Sequence, residues 1–148
     1  MMKKRVIFLL SLIFFIGMVN AEHHNQVIKP EVMTKVDVAG AIYDRPNMIK
    51  STNNGNTTLD VTSFLSSDGK FETGMYRSEA THIDVIEPWG HDEFFYVIEG
   101  SIVLTSTDGS VLTVSAGEAA SIPKEWTGQW DTDGYSKIWV IYYSDKKE

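Results

Sequence analysis

From Thr57 onward the chain is built of short apolar or alternating runs, separated by turn signals at roughly ten-residue intervals. That spacing leaves no room for packed helices and predicts an all-β sandwich or barrel. Ser67-Asp68-Gly69 precedes a run from Phe71 to Arg77, and Thr81 to Glu87 alternates toward Pro88. Phe94 to Thr107 is long, rich in β-branched and aromatic residues, and ends on the hairpin turn Thr107-Asp108-Gly109-Ser110. Val111 to Val114, Ala119 to Ile122 and Trp126 to Trp130 follow, then a second expected turn at Asp131-Thr132-Asp133-Gly134 and a last run from Tyr135 to Tyr143. Nothing in this stretch has the 3.6-residue apolar period of a helix, and there are no internal repeats.

Two of these runs are apolar on both faces: Phe94-Phe95-Tyr96-Val97-Ile98 and Ile138-Trp139-Val140-Ile141-Tyr142-Tyr143. A strand with one wet face should alternate. Either another part of the chain covers the outer face or a second copy does, and the latter predicts a homodimer. The cover within the chain would come from residues 22–56. That segment carries Pro30, Pro46 and the polar stretch Ser51 to Asn56, and reads as loop, an edge strand or a strap draped over the barrel. Asn53-Asn54-Gly55 within it equally fits a tight turn.

Residues 1–21 are a separate object. Lys3-Lys4-Arg5 precede the apolar run Val6 to Val19, and Val19-Asn20-Ala21 offers small side chains at the positions a signal peptidase reads. The run is short of the about 20 residues that cross a bilayer. A cleaved signal peptide is expected, giving a periplasmic or secreted protein with no membrane attachment afterwards. Removing Lys3, Lys4 and Arg5 takes the formal charge from −7 to −10. So acidic a chain repels phosphate backbones, which argues against nucleic acid as a partner. With 0 cysteines there are no disulfides, and any metal would need His, Glu, Asp or Gln ligands. The mature start Glu22-His23-His24 has the amine and third-place histidine of a square-planar Cu(II) or Ni(II) site.

Glu93 to Gly100 is a glutamate, six residues and a glycine; Gly117 to Pro123 is a glycine, five residues and a proline, with an Asp-Gly hairpin between the two. In that arrangement the chain resembles the cupin superfamily over about Leu59 to Tyr143. Asp68-Gly69-Lys70, Asp92-Glu93-Phe94 and Pro123-Lys124-Glu125-Trp126-Thr127-Gly128-Gln129-Trp130 are similar to the subgroup typified by (S)-ureidoglycine aminohydrolase. The resemblance implies a single double-stranded β-helix, a jelly-roll barrel over residues 57–148, with a ligand site in its mouth and frequent dimers. It also implies where this chain departs. The two first-motif histidine places hold Glu87 and Trp89, and the second-motif histidine place holds Gly128. The glutamate-first ligand set of the aminohydrolase would fall on Glu87, its histidines on Trp89 and Glu93.

Glu87, Trp89, His91 and Glu93 share parity and would converge on the barrel interior if the strand were regular. Pro88 and Gly90 are the residues that would break it. Two carboxylates and an imidazole are candidates for general acid–base chemistry, so Glu93, Glu87 and His91 are the candidate catalytic residues. Tyr76, Trp89, Trp126 and Trp130 would wall a pocket, with Gln129 as a polar handle. A carboxylate and one imidazole are too few to enclose zinc, so no metal ligands and no cofactor are assigned, beyond at most a weakly held divalent metal. The expectation is an exported protein binding a small organic molecule. The alternative is an aminohydrolase- or isomerase-like enzyme using Glu87, His91 and Glu93 with or without a metal.

Overall fold

The computed structural model describes residues 28–144. The signal-peptide segment and the Glu22-His23-His24 motif lie outside the described residues. Seven strands account for most of it: β1 (Ile49–Asn53), β2 (Asn56–Leu65), β3 (Phe71–Val85), β4 (Asp92–Ser106), β5 (Val111–Ser115), β6 (Ala119–Ile122) and β7 (Gly128–Tyr142). They form one antiparallel sheet in the order β1-β2-β3-β7-β4-β5, with β6 also pairing β4. This is the all-β jelly roll expected of the sequence.

Three strands of 15 residues each carry the architecture. β7 lies between β3 and β4 along its whole length, from Phe71↔Tyr142 to Val85↔Gly128 on one side and Asp92↔Tyr142 to Ser106↔Gly128 on the other. β3 and β7 therefore each replace two of the expected short runs, while β4 is the long run expected from Phe94 onward. Asp131 to Gly134 forms no turn, because its backbone runs on as strand, paired with β3 at Gly134, Thr132 and Asp131 and with β4 at Asp131. The polar residues instead mark where the sheet bends: register slips between Gly100 and Val103 opposite this stretch. A Cβ on Gly100 would stand 2.0 Å from the Gly134 carbonyl oxygen, so the two backbones close on each other only because Gly100 has no side chain.

The sheet is covered on its inner face and over part of its outer face. Inside, Phe95, Val97, Ile102, Leu104, Val114, Ile122, Trp130, Tyr135 and Trp139 form the barrel core. Outside, a strap made of α1 (Lys35–Val38) and a 3₁₀ turn (Ala41–Asp44) packs Ile42 and Tyr43 on Val61 and Met75, with Ile98 and Ile138 at the margin. α1 is only four residues long and is held by a capping box, Thr34 with Asp37. The strap is tied by Tyr43 Oη to Ser136 Oγ at 3.3 Å and by the Arg77 guanidinium 5.0 Å from the Tyr43 ring. β1 joins the edge of the sheet through a tight turn with Asn54 and Gly55 at positive φ. The described part of the segment before β2 thus supplies both an edge strand and a strap.

Candidate functional site

Inward-facing side chains of β2, β3, β7 and β4 line a cavity of about 280 Å³ at one end of the barrel. The register places them in rows. Asp60, Tyr76 and Lys137 lie side by side on β2, β3 and β7; the next row is Thr62, Gly74, Trp139 and Phe95; the next is Glu72, Ile141 and Glu93. Gly74 has a structural reason to be glycine. A Cβ there would lie 2.4 Å from the Trp139 ring and 2.1 Å from the Val61 carbonyl oxygen. The bare backbone lets the Trp139 indole lie across β3, where its side chain hydrogen-bonds Asp60.

At the floor, Glu93 and Lys137 form a direct ion pair between Oε1 and Nζ. Both residues are nearly inaccessible, 4 % and 5 % exposed. The other carboxylate oxygen accepts from Trp89 Nε1 at 3.0 Å, and His91 Nε2 lies 3.7 Å from it. Burial alone would push the Glu93 carboxyl up. The Lys137 charge, the nearby His91 ring and the hydrogen bonds from Lys137 and Trp89 outweigh it and hold the group at about 2, so it is a carboxylate at any ordinary pH. The Lys137 ammonium is also caged by ring faces: Trp130 at 4.8 Å, Phe95 at 5.0 Å, and Tyr76 and Tyr135 at 5.8 Å from Nζ to centroid. A charge removed from water needs such compensation on every side.

The candidate residues are placed as follows. Glu93, His91, Trp89, Tyr76 and Trp130 line the cavity. Trp89 stacks on Trp130 with centroids 5.5 Å apart and an interplanar angle of 10°. Glu87 does not join them. β4 begins only at Asp92, Gly90 has φ of 91°, and Glu87 is exposed on the preceding loop, so the shared parity fails at Pro88 and Gly90. That loop is fixed through its backbone, Trp89 N to Trp126 O at 3.0 Å and Gly90 N to Lys124 O at 2.8 Å. Trp126 packs edge-on to Trp89 and donates to Ser106 Oγ at 3.1 Å, behind the wall rather than in it. Gln129 is exposed on the other side of β7 and donates to Asp84 at 3.1 Å. The trio Glu87, His91 and Glu93 is therefore not assembled.

Three charged lining residues, Lys137, Asp60 and Glu72, were not among the candidates. Lys137 shares parity with Tyr135, Trp139 and Ile141, and a lone lysine at an inward position of an aromatic strand was the signal. Asp60 gave none, because Leu59 and Val61 on either side of it look like the core-facing residues. They do face a core, the one under the strap, which turns Asp60 into the barrel. Its Oδ1 is buried without a hydrogen-bond partner, as is Trp130 Nε1. Burial raises the Asp60 carboxyl above its ordinary value, against the Trp139 hydrogen bond and the Lys137 charge.

Residues 65–137 match the EutQ-like cupin domain. The chain carries a cupin domain. The EutQ protein of Clostridium difficile is 25% identical over 67% of this chain and 78% of that one, with a TM-score of 0.54. The putative ethanolamine utilization protein Q of Salmonella typhimurium is 16% identical over 68% of this chain and 98% of that one, with a TM-score of 0.51. Ectoine synthase of P. lautus is 17% identical over 69% and 72%, with a TM-score of 0.55. At those identities the last two likenesses show the fold alone. No curated protein sequence matches this chain significantly.

Cupin barrels commonly hold a metal at the first-motif glutamate. The residues here do not fit one. Among the described residues no group of three His, Cys, Asp or Glu side chains is placed to hold a metal ion. The motif glutamate, Glu93, already has a cation on it, the Lys137 ammonium.

Proposed function

We propose that this cupin is an exported, metal-independent receptor for a small organic molecule, bound in the barrel mouth above the Glu93–Lys137 pair. The observation that carries the reading is that pair. A tethered ammonium stands on the carboxylate that would otherwise ligate a metal, while Trp89, Trp130, Tyr76 and Trp139 wall the space above it. Aromatic walls with a few convergent polar groups suit an organic ligand, and about 280 Å³ lies just below the usual range for drug-sized ligands, as suits a small molecule. The likeness to the (S)-ureidoglycine aminohydrolase subgroup supports the site's place in the barrel. It does not extend to that subgroup's chemistry, since Glu87 is exposed on a loop.

The purified mature protein should contain no stoichiometric metal after dialysis, and a chelator should leave both its stability and its ligand binding unchanged. Stoichiometric metal, lost on replacing His91 or Glu93, would overturn the reading. N-terminal sequencing of protein recovered from a secreting host should begin at Glu22.

The same reading includes a homodimer. The strap covers the sheet only as far as Ile98 and Ile138. Beyond it Phe71, Phe94, Tyr96 and Tyr142 are 41 %, 45 %, 38 % and 47 % exposed. They lie together, since Phe71 pairs Tyr142 and Phe94 pairs Val140 next to it. A patch of neighbouring aromatics on a sheet is self-complementary across a two-fold axis. Light scattering should give twice the chain mass at micromolar concentration, and Phe94→Glu should give the monomer.

A further inference from the structure

We infer that the molecule taken up by the barrel mouth is a small organic cation, an amine or quaternary ammonium whose charged end sits against Asp60. The inference rests on the ligand-binding reading above and adds the ligand's charge. Three observations carry it.

The first is the balance of fixed charge. The lining holds three carboxylates, Asp60, Glu72 and Glu93, and one lysine. Glu93 and Lys137 satisfy each other in a direct ion pair, so neither is offered to a ligand. An anion entering the mouth would find the lining's described lysine already taken and would face the unpartnered Asp60 oxygen. A cation meets the opposite field.

The second is the state of Asp60. Its Oδ1 is buried and has no hydrogen-bond partner. Such an acceptor is costly unless something donates to it. The Trp139 side chain hydrogen-bonds the carboxyl and so fixes its orientation, which needs the bare backbone of Gly74 for the indole to cross β3. An unpartnered acceptor on a carboxyl that lines the cavity is what an ammonium N–H or the methyl groups of a quaternary nitrogen would satisfy.

The third is the cavity's record with the ammonium it already contains. Lys137 Nζ lies within 5.8 Å of four ring centroids. The wall is thus built of π faces turned toward positive charge. Tyr76 stands between Asp60 and Lys137 in the same cross-strand row, so the ring that faces Lys137 also flanks Asp60.

The test uses the full mature chain and three probes of similar size: benzylamine, benzyl alcohol and benzoate. Binding is followed by calorimetry and by tryptophan fluorescence, for which Trp89, Trp130 and Trp139 are reporters in the wall. Benzylamine should bind about tenfold or more tightly than either of the others. Asp60→Asn, which keeps the shape and removes the charge, should cost benzylamine most of that advantage and leave benzyl alcohol unchanged. Benzoate binding as well as benzylamine would overturn the inference while leaving the pocket's ligand-binding role intact. So would an Asp60→Asn protein, folded by circular dichroism, that keeps full benzylamine affinity. If that variant does not fold, the wild-type order of the three probes decides alone. If no probe of any charge binds, the ligand-binding reading fails, and this inference with it.

Discussion

Glu93–Lys137 and His82–Asp131 are both pairs of opposite charge that fasten β7 to a neighbouring strand, and they differ in nearly everything else. His82 and Asp131 are direct cross-strand partners on the outside of the sheet, 2.6 Å apart, with Asp84 3.3 Å from the other ring nitrogen. Their side chains are 52 % and 43 % exposed, so water screens them and can replace either partner. Glu93 and Lys137 have no such alternative. Glu93 pairs in the backbone ladder with Ile141 and Lys137 with Val97, so the two side chains meet by leaning toward each other within the barrel. The lesson is that distance does not rank these contacts. The cost of stranding one partner does.

The largest expected effect is therefore at the buried pair. Lys137→Met leaves a buried carboxylate without its cation, and Glu93→Gln leaves a buried ammonium without its anion. Each should lower stability by about 3–5 kcal/mol, and the double variant Glu93→Gln/Lys137→Met should recover much of the loss. Urea denaturation of the four proteins gives the coupling directly; single variants that cost under about 1 kcal/mol would put the pair on the same footing as a surface one. The pH dependence sharpens this. Glu93 is held at about 2 against an ordinary value of 4.5. A depressed carboxyl contributes stability that is present above 4.5 and is lost as pH falls toward 2. Wild type should lose this share across that window, and the double variant should not. A wild-type curve parallel to the double variant's there would break the comparison.

The smallest effect is expected at the surface pair, and its sign is reversed. The Asp131 hydrogen bond, the Asp131 charge and then Asp84 raise the His82 pKa above its ordinary 6.5. A raised imidazole contributes stability that is complete below 6.5 and fades as pH rises through the folded value. His82→Gln should remove a slight stabilisation at pH 5 and change nothing at pH 9. Denaturation midpoints at the two pH values check it; an effect as large as that at Lys137 would mean that burial does not separate the two clusters.

The same contrast explains which parts of the site could be read from the chain. Glu93 was legible because its spacing to Gly100 belongs to a motif, and Trp89, His91 and Trp130 because aromatic and titratable residues near that motif are unusual. Gln129 looked equally polar and equally close, yet sits one residue from Trp130 and so on the opposite face. Glu87 failed for a different reason: parity arguments assume an unbroken strand, and the chain turns at Pro88 and Gly90. Asp60 was hidden because alternation only tells two faces apart. It cannot say which one is the barrel when the strap gives the outer face an apolar core of its own.

By itself, then, the sequence determined the all-β class, the turn at Asp108-Gly109 and the position of Glu93, because strand periodicity and turn chemistry are local. It also determined that the usual histidines are missing. The rest depended on residues distant in the chain. Whether Asp131 to Gly134 turns or runs straight depends on β3 and β4 being there to pair with it. That Lys137 meets Glu93, 44 residues away, and that Asp60 faces the same cavity, follows from β7 lying between β3 and β4. A lysine's charge is local, but the carboxylate and the rings that make it tolerable inside a barrel are supplied only when the sheet closes.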